Sequence, residues 1–380
     1  MRIVGEWLDH PGTQALCATL EAAGHRALFV GGCVRNALLG VPVADVDIAT
    51  DARPETVTRL AEAAGLRVVP TGIDHGTVTV IAGGVPHEVT TFRRDVETDG
   101  RRAVVAFADD VAEDAARRDF TMNALYADAR GIVIDPLGGL PDLVARRLRF
   151  VGDPHQRIRE DYLRILRFFR FHAHYGDPGQ GMDPEALAAC AELADGIETL
   201  SRERIGAEIA KLLAAPDPAP AVAAMAQAGV LARVLPGADA RALAPLVHLE
   251  AGMAPRWQRR LAALGGQDVE DRLRLSRADA AAVSALRDAV GRGLSAAVMG
   301  WKLGAEGGRD AVLLSAVLLE SPLPAGWMAE VARGAASMMP VTAADLMPAF
   351  QGAALGARLK EIEARWLASD LCATRADLLD

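Results

Sequence analysis

No apolar run in the chain is long enough to cross a bilayer, and Met1 to His10, with Glu6 and Asp9, does not resemble a secretion signal. A cytoplasmic protein without membrane partners is expected. Cysteine is scarce: Cys17, Cys33, Cys190 and Cys372 lie far apart, form neither a Cys-x-x-Cys zinc pattern nor a disulfide framework, and read as buried thiols. Lysine is scarcer, with only Lys211, Lys302 and Lys360, so nearly all positive charge is arginine and arginine position has to carry any argument. None of the eight histidines precedes an aspartate, which leaves out a His-Asp phosphohydrolase motif. Heptads and fixed-period repeats are also missing. The net charge of -9 argues against a general nucleic-acid coat but leaves room for a local basic groove, because binding depends on the few cations that meet phosphates. At 380 residues, two or more domains are expected.

What is present is concentrated in VGGCVRNALLGVPVADVDIA, Val30 to Ala49. An apolar run, Ala27 to Val30, stops at Gly31-Gly32, after which Val34, Leu38 and Leu39 fall at helical spacing, so a strand turns on two glycines into a helix. Such a helix start offers free N–H groups to an anion. A second strand is predicted over Ala44 to Ala49, with Asp45 and Asp47 on one face. Two like charges there repel unless a divalent cation lies between them. The glycine turn, the helix start, Arg35 and the carboxylate pair together describe a site for a polyphosphate with Mg2+. Gly31-Gly32 lacks the third glycine of a dinucleotide fingerprint, and no Gly-Lys-Ser/Thr follows, so neither a Rossmann nor a Walker loop fits.

Further along, a helix is predicted at Pro54 to Ala64 and strands at Leu66 to Val69, Gly76 to Ala82 and Pro86 to Phe92, the last two closing a hairpin on Gly83-Gly84. In HEVTTF, Glu88 reads either as a third carboxylate at the edge of the aspartate face or as a solvated strand residue. Arg93 to Ala115 is polar, lacks periodicity and reads as a long mobile loop. In ARRDFTMNALYAD, Arg117, Arg118, Asp119 and Asn123 fall on or just before a helix. Beyond Pro154 strand signals nearly vanish and alanine- and leucine-rich amphipathic segments take over, broken at Pro216 to Pro220 and Pro322 to Pro324.

The second constellation is EDYLRILRFFR, Glu160 to Arg170, read as one helix on which Asp161, Arg164, Arg167 and Arg170 recur every three residues. From Arg146 to Arg170 eight arginines face three acids, a local balance of +5 in an acidic protein. Two readings stand. Glu160 and Asp161 lace the helix to Arg164 by surface ion pairs worth ~0.3 to 0.5 kcal/mol each. Alternatively, a carboxylate beside a guanidinium complements the amino-donor and ring-acceptor edge shared by cytosine and adenine, and mismatches guanine and uracil.

These segments resemble the class II CCA-adding tRNA nucleotidyltransferases of the DNA polymerase β-like superfamily. GGCVRNALLG with DVDIAT, RRDFTMNAL, DPLGGLPDL with RLRFVG, EDYLRILR and LSRERIGAEIAKLL occur in that family's order across Arg26 to Leu213. The resemblance implies an α+β fold: a mixed-sheet nucleotidyltransferase head over residues 1–145, a helical neck with a nucleotide-selecting helix over 146–215, and a helical tRNA-binding body and tail over 216–380. It implies that Asp45 and Asp47 hold catalytic Mg2+; the strand reading, not the resemblance, adds Glu88 as a further catalytic candidate. By the same carry-over, Gly31, Gly32, Arg35 and Arg118 meet the triphosphate, Asp119 and Asn123 lie near the ribose, and Asp161 with Arg164 pairs the base, supported by Arg167 and Arg170. The implied reaction adds C, C and A to the acceptor end of tRNA from CTP and ATP by two-metal phosphoryl transfer, releasing pyrophosphate. One departure is Asn36, where the family usually has Asp; Asn keeps an accepting carbonyl and loses the charge.

Three rivals are weighed. Bacterial poly(A) polymerase shares most motifs but is expected to be basic, whereas this chain has a pI near 5.5; TGIDHGTVTV, Thr71 to Val80, also looks like the CCA-adding side. An enzyme adding only CC or only A is a partial form of the same reading. A catalytically silent RNA-binding protein would not need Asp45, Asp47, Arg118 and Asp161 all intact.

Overall fold

A computed structural model describes residues 1–70, 72–73, 76–99 and 102–380. Part of TGIDHGTVTV therefore lies outside the described residues. The chain forms two compact units, Met1–Leu200 with Ala228–Arg233, and Ser201–Gln227 with Val234–Asp380.

In the first unit, α1 (Glu6–Asp9) and α2 (Pro11–Ala22) precede β1 (Leu28–Val30), α3 (Gly32–Leu39), β2 (Asp47–Thr50), α4 (Pro54–Ala63), β3 (Arg67–Val69), β4 (Thr77–Ala82) and β5 (Val85–Thr91). Next come β6 (Arg93–Asp99), β7 (Arg102–Phe107), α5 (Val111–Ala116), β8 (Tyr126–Ala127) and β9 (Val133–Ile134). Seven strands form one sheet in the order β3-β4-β5-β2-β1-β8-β9, and β2 with β5 is its parallel pair in an otherwise antiparallel sheet. Helices α2 and α4 pack on β4 and β5. Leu28, Val30, Ala49, Phe92, Val111, Ala115 and Tyr126 form a buried core cluster that includes residues of β1 and β2. That core positions the site, because β1, β2 and β8 each end beside it.

Four sequence expectations in this unit need correction, the fourth in the helices that follow the sheet. Arg93 to Ala115 is not a loop: β6 and β7 form a two-stranded ribbon, Arg93 opposite Phe107 and Asp99 opposite Arg102, followed by α5. A ladder satisfies backbone N–H and C=O groups whatever the side chains, so a segment without apolar alternation still pairs. Strand β2 starts at Asp47 rather than Ala44, because β5 supplies ladder partners only from Asp47 onward. The alternation still reaches back, with Val46 and Ile48 buried and Asp45 and Asp47 more exposed. The helix expected after Arg118 is a single 3-10 turn, Thr121–Asn123, because Tyr126 and Ala127 are drawn into the sheet opposite Val30 and Phe29.

Helices α6 (Leu140–Val144), α7 (Pro154–Glu160), α8 (Leu163–Tyr175) and α9 (Pro184–Glu192) complete the unit's main elements. The helix expected over Glu160 to Arg170 is broken: Asp161 is extended, and its carboxylate accepts from the Leu163 N–H at 3.1 Å, starting α8 afresh. Phe120, Phe150, Phe168 and Phe171 pack with ring centroids 4.9 to 6.4 Å apart, anchoring α8 to the segment after Arg118. Each such buried ring contributes ~2 kcal/mol or more. Gly139, in DPLGGLPDL, is a glycine by necessity, because a Cβ there would overlap the Thr121 carbonyl.

The remaining helices are α10 (Arg202–Leu213), α11 (Ala219–Gln227), α12 (Val230–Val234), α13 (Leu243–Glu250), α14 (Trp257–Leu264), α15 (Val269–Leu273), α16 (Arg277–Gly291), α17 (Ala296–Leu318), α18 (Trp327–Ala336), α19 (Ala343–Leu346), α20 (Gly352–Ala368) and α21 (Arg375–Leu379). Among the described residues no strand follows β9, in line with the helical remainder expected. Arg259 and Arg260 of α14 are buried, pairing with Glu250 of α13 and, for Arg259, Asp310 of α17. Arg260 also donates to the carbonyls of Leu213 and Pro216, tying down the break after α10. The four cysteines are free, and Cys372, expected to be buried, is exposed in the turn that follows α20. No described helix is long and apolar enough to cross a membrane.

Candidate active site

The site begins at Gly31, whose φ of 70° and ψ of -117° suit glycine alone. Its N–H donates to the Leu125 carbonyl at 3.1 Å, and its own carbonyl accepts from the Arg35 N–H at 2.9 Å, opening α3 at Gly32. No side chain caps α3, which leaves its first N–H groups for another acceptor. A Cβ on Gly31 would lie 3.3 Å from Nη1 of Arg118, which places that guanidinium directly over the turn.

Asp45 is exposed and Asp47 half-buried, two residues apart at the head of β2. Glu88, on the parallel neighbour β5, is in register with Asp47 and therefore on the same sheet face. Burial and the Glu88 carboxylate push Asp47 up to about 6 against the opposing pull of Arg118, and Asp45 adds to the push. Such repulsion is what a hard divalent cation relieves, so this donor set fits one. Among the described residues, no group of three or more His, Cys, Asp or Glu side chains could hold a metal by itself.

Arg118 is fixed from the opposite side. Its Nε donates to the Tyr126 hydroxyl at 3.0 Å and its Nη2 to Asp114 Oδ2 at 3.0 Å, while Tyr126 itself donates to Asp114 at 2.6 Å. Asp114 also accepts from Arg117 Nε at 2.9 Å. Burial alone would raise this carboxyl, but Arg118 and Arg117 hold it at about 2.

A chain of hydrogen bonds joins α3 to α8. Arg35 is buried, donating to Asn36 Oδ1, to Asn123 Oδ1 at 2.6 Å and to the Tyr175 hydroxyl at 2.8 Å, with its guanidinium 3.9 Å from the Tyr175 ring centroid. Asn123 in turn donates to Asp119 at 2.9 Å, and Asp119 accepts from Arg167 Nε at 2.7 Å. Asn36 takes two bonds from Arg35 and donates to the Pro42 carbonyl, so it orients Arg35 without carrying charge. Arg170 lies 4.2 Å from the Phe171 ring centroid.

Arg164 is not found on Asp161. Its Nη1 donates to Glu160 at 2.5 Å and to the Arg157 carbonyl at 2.7 Å, while Asp161 serves the start of α8. Arg157 shares Glu160 and donates to the Arg117 and Arg118 carbonyls, linking α7 to the segment that bears Arg118. Gly31, Arg118 and Asp47 thus gather where β1 ends and β2 begins, with Glu88 of β5 beside Asp47, and Arg35, Asp119, Asn123 and Arg167 form one network. Sequence reading missed Asp114, Tyr126, Tyr175 and Arg157. The spacing of Asp114 four residues before Arg118 was a usable signal, whereas the Tyr175 contact spans 140 residues and left none.

A mixed sheet with paired aspartates, a glycine turn and an arginine over it is the arrangement of a nucleotidyltransferase head. The Poly A polymerase head domain matches residues 27–149, and the family described as probable RNA and SrmB- binding site of polymerase A matches 181–241. The crystal structure of Bacillus stearothermophilus CCA-adding enzyme in complex with CTP is 30% identical with a TM-score of 0.75, covering 94% of this chain and 93% of that one. The chain belongs to the CCA-adding enzyme family. The CCA-adding enzyme of Lacticaseibacillus paracasei is 46% identical over 52% of this chain and 48% of its own, and human CCA tRNA nucleotidyltransferase 1, mitochondrial, is 42% identical over 53% and 47%. The chain spans about half the length of these curated relatives. Thermotoga maritima CCA-adding enzyme complexed with tRNA_CCA, 18% identical with a TM-score of 0.69 over 99% of this chain and 97% of its own, shares the fold.

Proposed function

We propose that the protein adds C, C and A to the 3' end of tRNA, using CTP and ATP and releasing pyrophosphate. The observation that carries this reading is Asp47 and Glu88 in register on one sheet face, with Asp45 just ahead of the strand and near enough to push the Asp47 carboxyl up, beside the Gly31 turn and Arg118. Membership of the CCA-adding family supports it. In this reading Asp45 and Asp47 hold Mg2+, which takes one or two carboxylates and fills its shell with phosphate oxygens and water. When bound, the metal would polarise the reacting phosphate and lower the pKa of the attacking hydroxyl. The α3 start at Gly31 and Gly32, with Arg118, binds the triphosphate; Arg35, Asn123 and Asp119 shape the wall toward the ribose; Glu88 keeps the carboxylate field strong.

Base choice belongs to Asp161 and Arg164, with Arg167 and Arg170 behind them. It requires Arg164 to turn part of its guanidinium from Glu160 toward the nucleotide. The head at 1–145, neck at 146–215 and body and tail at 216–380 remain the proposed functional division, with the acceptor end of tRNA held by shape and phosphate contacts. The cytoplasm is the proposed site of action.

The test is incorporation on a tRNA transcript lacking CCA, with labelled CTP, ATP or both and Mg2+, resolved to single nucleotides. Two C and then one A is the expected product. A lengthening A ladder would establish a poly(A) polymerase instead, a stop after CC or a need for preformed CC would define a partial enzyme, and no incorporation would leave a silent RNA binder.

A further inference from the structure

Arg118 reaches over the Gly31 turn on a long, flexible side chain, and such a side chain binds a polyphosphate well only if its guanidinium is already aimed. The aim comes from a buried pair that contributes no atom to the turn. Asp114, the last acid of α5, is 1% exposed and receives bonds from Arg118 Nη2 at 3.0 Å, Arg117 Nε at 2.9 Å and the Tyr126 hydroxyl at 2.6 Å. Tyr126, fully buried on β8, uses the same hydroxyl to accept from Arg118 Nε at 3.0 Å. Two edges of the guanidinium are therefore occupied by a fixed acceptor set. Nη1, the remaining nitrogen, is the atom that faces Gly31.

Asp114 also accepts from the Arg93 N–H at 3.3 Å, a structural task at the start of β6, but one backbone bond does not call for two arginines and a tyrosine. A carboxylate with one cation would be a neutralising pair, but Asp114 carries two arginines, so the cluster keeps a net positive charge. Burial without that surplus would be costly and without purpose for stability, since an apolar group of the same size packs as well. Tyr126 belongs to the sheet core, opposite Val30, and α5 packs Val111 and Ala115 into the same cluster, so both acceptors are held by one core.

We propose that Asp114 and Tyr126 are positioning residues that pre-aim Arg118, leaving Nη1 free to meet a phosphate group seated at the start of α3. This rests on reading the Gly31 turn as the polyphosphate seat, and it is independent of which nucleotide or RNA the enzyme uses.

The experiment measures binding of inorganic tripolyphosphate with Mg2+ by calorimetry, without tRNA or turnover. Asp114→Asn is expected to weaken binding about tenfold and Tyr126→Phe about threefold, whereas in an Arg118→Ala background Asp114→Asn has no further effect, since it acts through Arg118. Asp114→Glu, which restores the charge, is expected to recover part of the affinity. In turnover assays Asp114→Asn raises the KM for CTP and ATP by equal factors and leaves discrimination against UTP and GTP unchanged, which a general loss of folded protein would not do. Should Asp114→Asn fail to fold, Tyr126→Phe carries the same test, because it removes one hydroxyl and keeps the ring. Equal tripolyphosphate affinity in wild type and Tyr126→Phe, additive losses in the Arg118→Ala background, or no binding by wild type would overturn the proposal. Weakened binding in a protein that adds no CCA would uphold it while rejecting the proposed function.

Discussion

The carboxylate of Asp119 takes both reachable nitrogens of Arg167, Nε at 2.7 Å and Nη2 at 2.5 Å, and so ties α8 to the segment carrying Arg118. Asp119 is almost fully buried, with Asn123 and the Phe120 N–H as its other donors. Removing one partner of such a pair leaves an uncompensated buried charge, a loss of about 3 kcal/mol. Arg167→Ala should therefore lower the unfolding free energy by about that much, and the double variant with Asp119→Asn should lose well under the sum. Urea denaturation of the four proteins measures this; a coupling below about 0.5 kcal/mol would mean the contact behaves as an ordinary surface pair.

Gly31 and Gly40 make a matched comparison, since both have positive φ, 70° and 68°, but Gly40 sits in the left-handed helical region with no atom within 4 Å of a Cβ. At Gly31 the ψ of -117° leaves a side chain no comfortable conformation, and the Cβ presses on Arg118. Gly40→Ala should cost about 1 kcal/mol of stability and leave nucleotide KM within twofold. Gly31→Ala should cost about 1 to 3 kcal/mol and raise the KM for CTP and ATP by tenfold or more. Thermal melts with steady-state kinetics distinguish the two, and matching kinetics in both variants would show that the Gly31 turn does not seat the nucleotide.

Much of this unit could be read from sequence because its signals are local. Strand alternation placed β4 and β5 and their Gly83-Gly84 hairpin, and the Asp45, Asp47 alternation held even where the ladder had not begun. The misses have different causes. The β6–β7 ribbon is held by backbone pairing that no apolar pattern announces. The break at Asp161 depends on a cap that competes with helix continuation, in a segment whose three-residue arginine spacing reads as unbroken helix. The Glu160 to Arg164 pair was legible at its i,i+4 spacing and is present, whereas buried Arg259 and Arg260 pair with residues 9 to 51 positions away. Burial of an arginine is settled by distant partners, which spacing along one element does not reveal.

Asp47 illustrates function set against stability. With its carboxyl pushed up to about 6 by burial and Glu88, the ionised form strains the metal-free fold near neutral pH. Asp47→Asn should stabilise the metal-free protein by roughly 1 to 2 kcal/mol while lowering incorporation by several powers of ten, because the proposed metal ligand is lost. Mg2+ should raise the melting temperature of wild type but not of this variant. A variant that melts with wild type and still turns over would remove Asp47 from the metal site.

Asp114 supplies the opposite sign. Its folded pKa of about 2 lies below the ordinary aspartate value of 3.8, so between those values the unfolded chain binds more protons than the native one, and stability rises with pH. The contribution is fully present above about pH 4 and is lost as pH falls toward 2; for a carboxylate this buried it amounts to roughly 2 kcal/mol. Asp119, also held low, acts in the same direction, so wild type should show a steep acid limb built from at least two carboxylates. In Asp114→Asn the limb should persist but flatten by up to one proton's worth of slope, about 1.4 kcal/mol per pH unit at most. Urea midpoints taken from pH 5 down to pH 3 read this directly. An unchanged slope in the variant would mean that Asp114 titrates in the native protein as it does in the unfolded chain, and that Arg118 and Arg117 do not hold its charge.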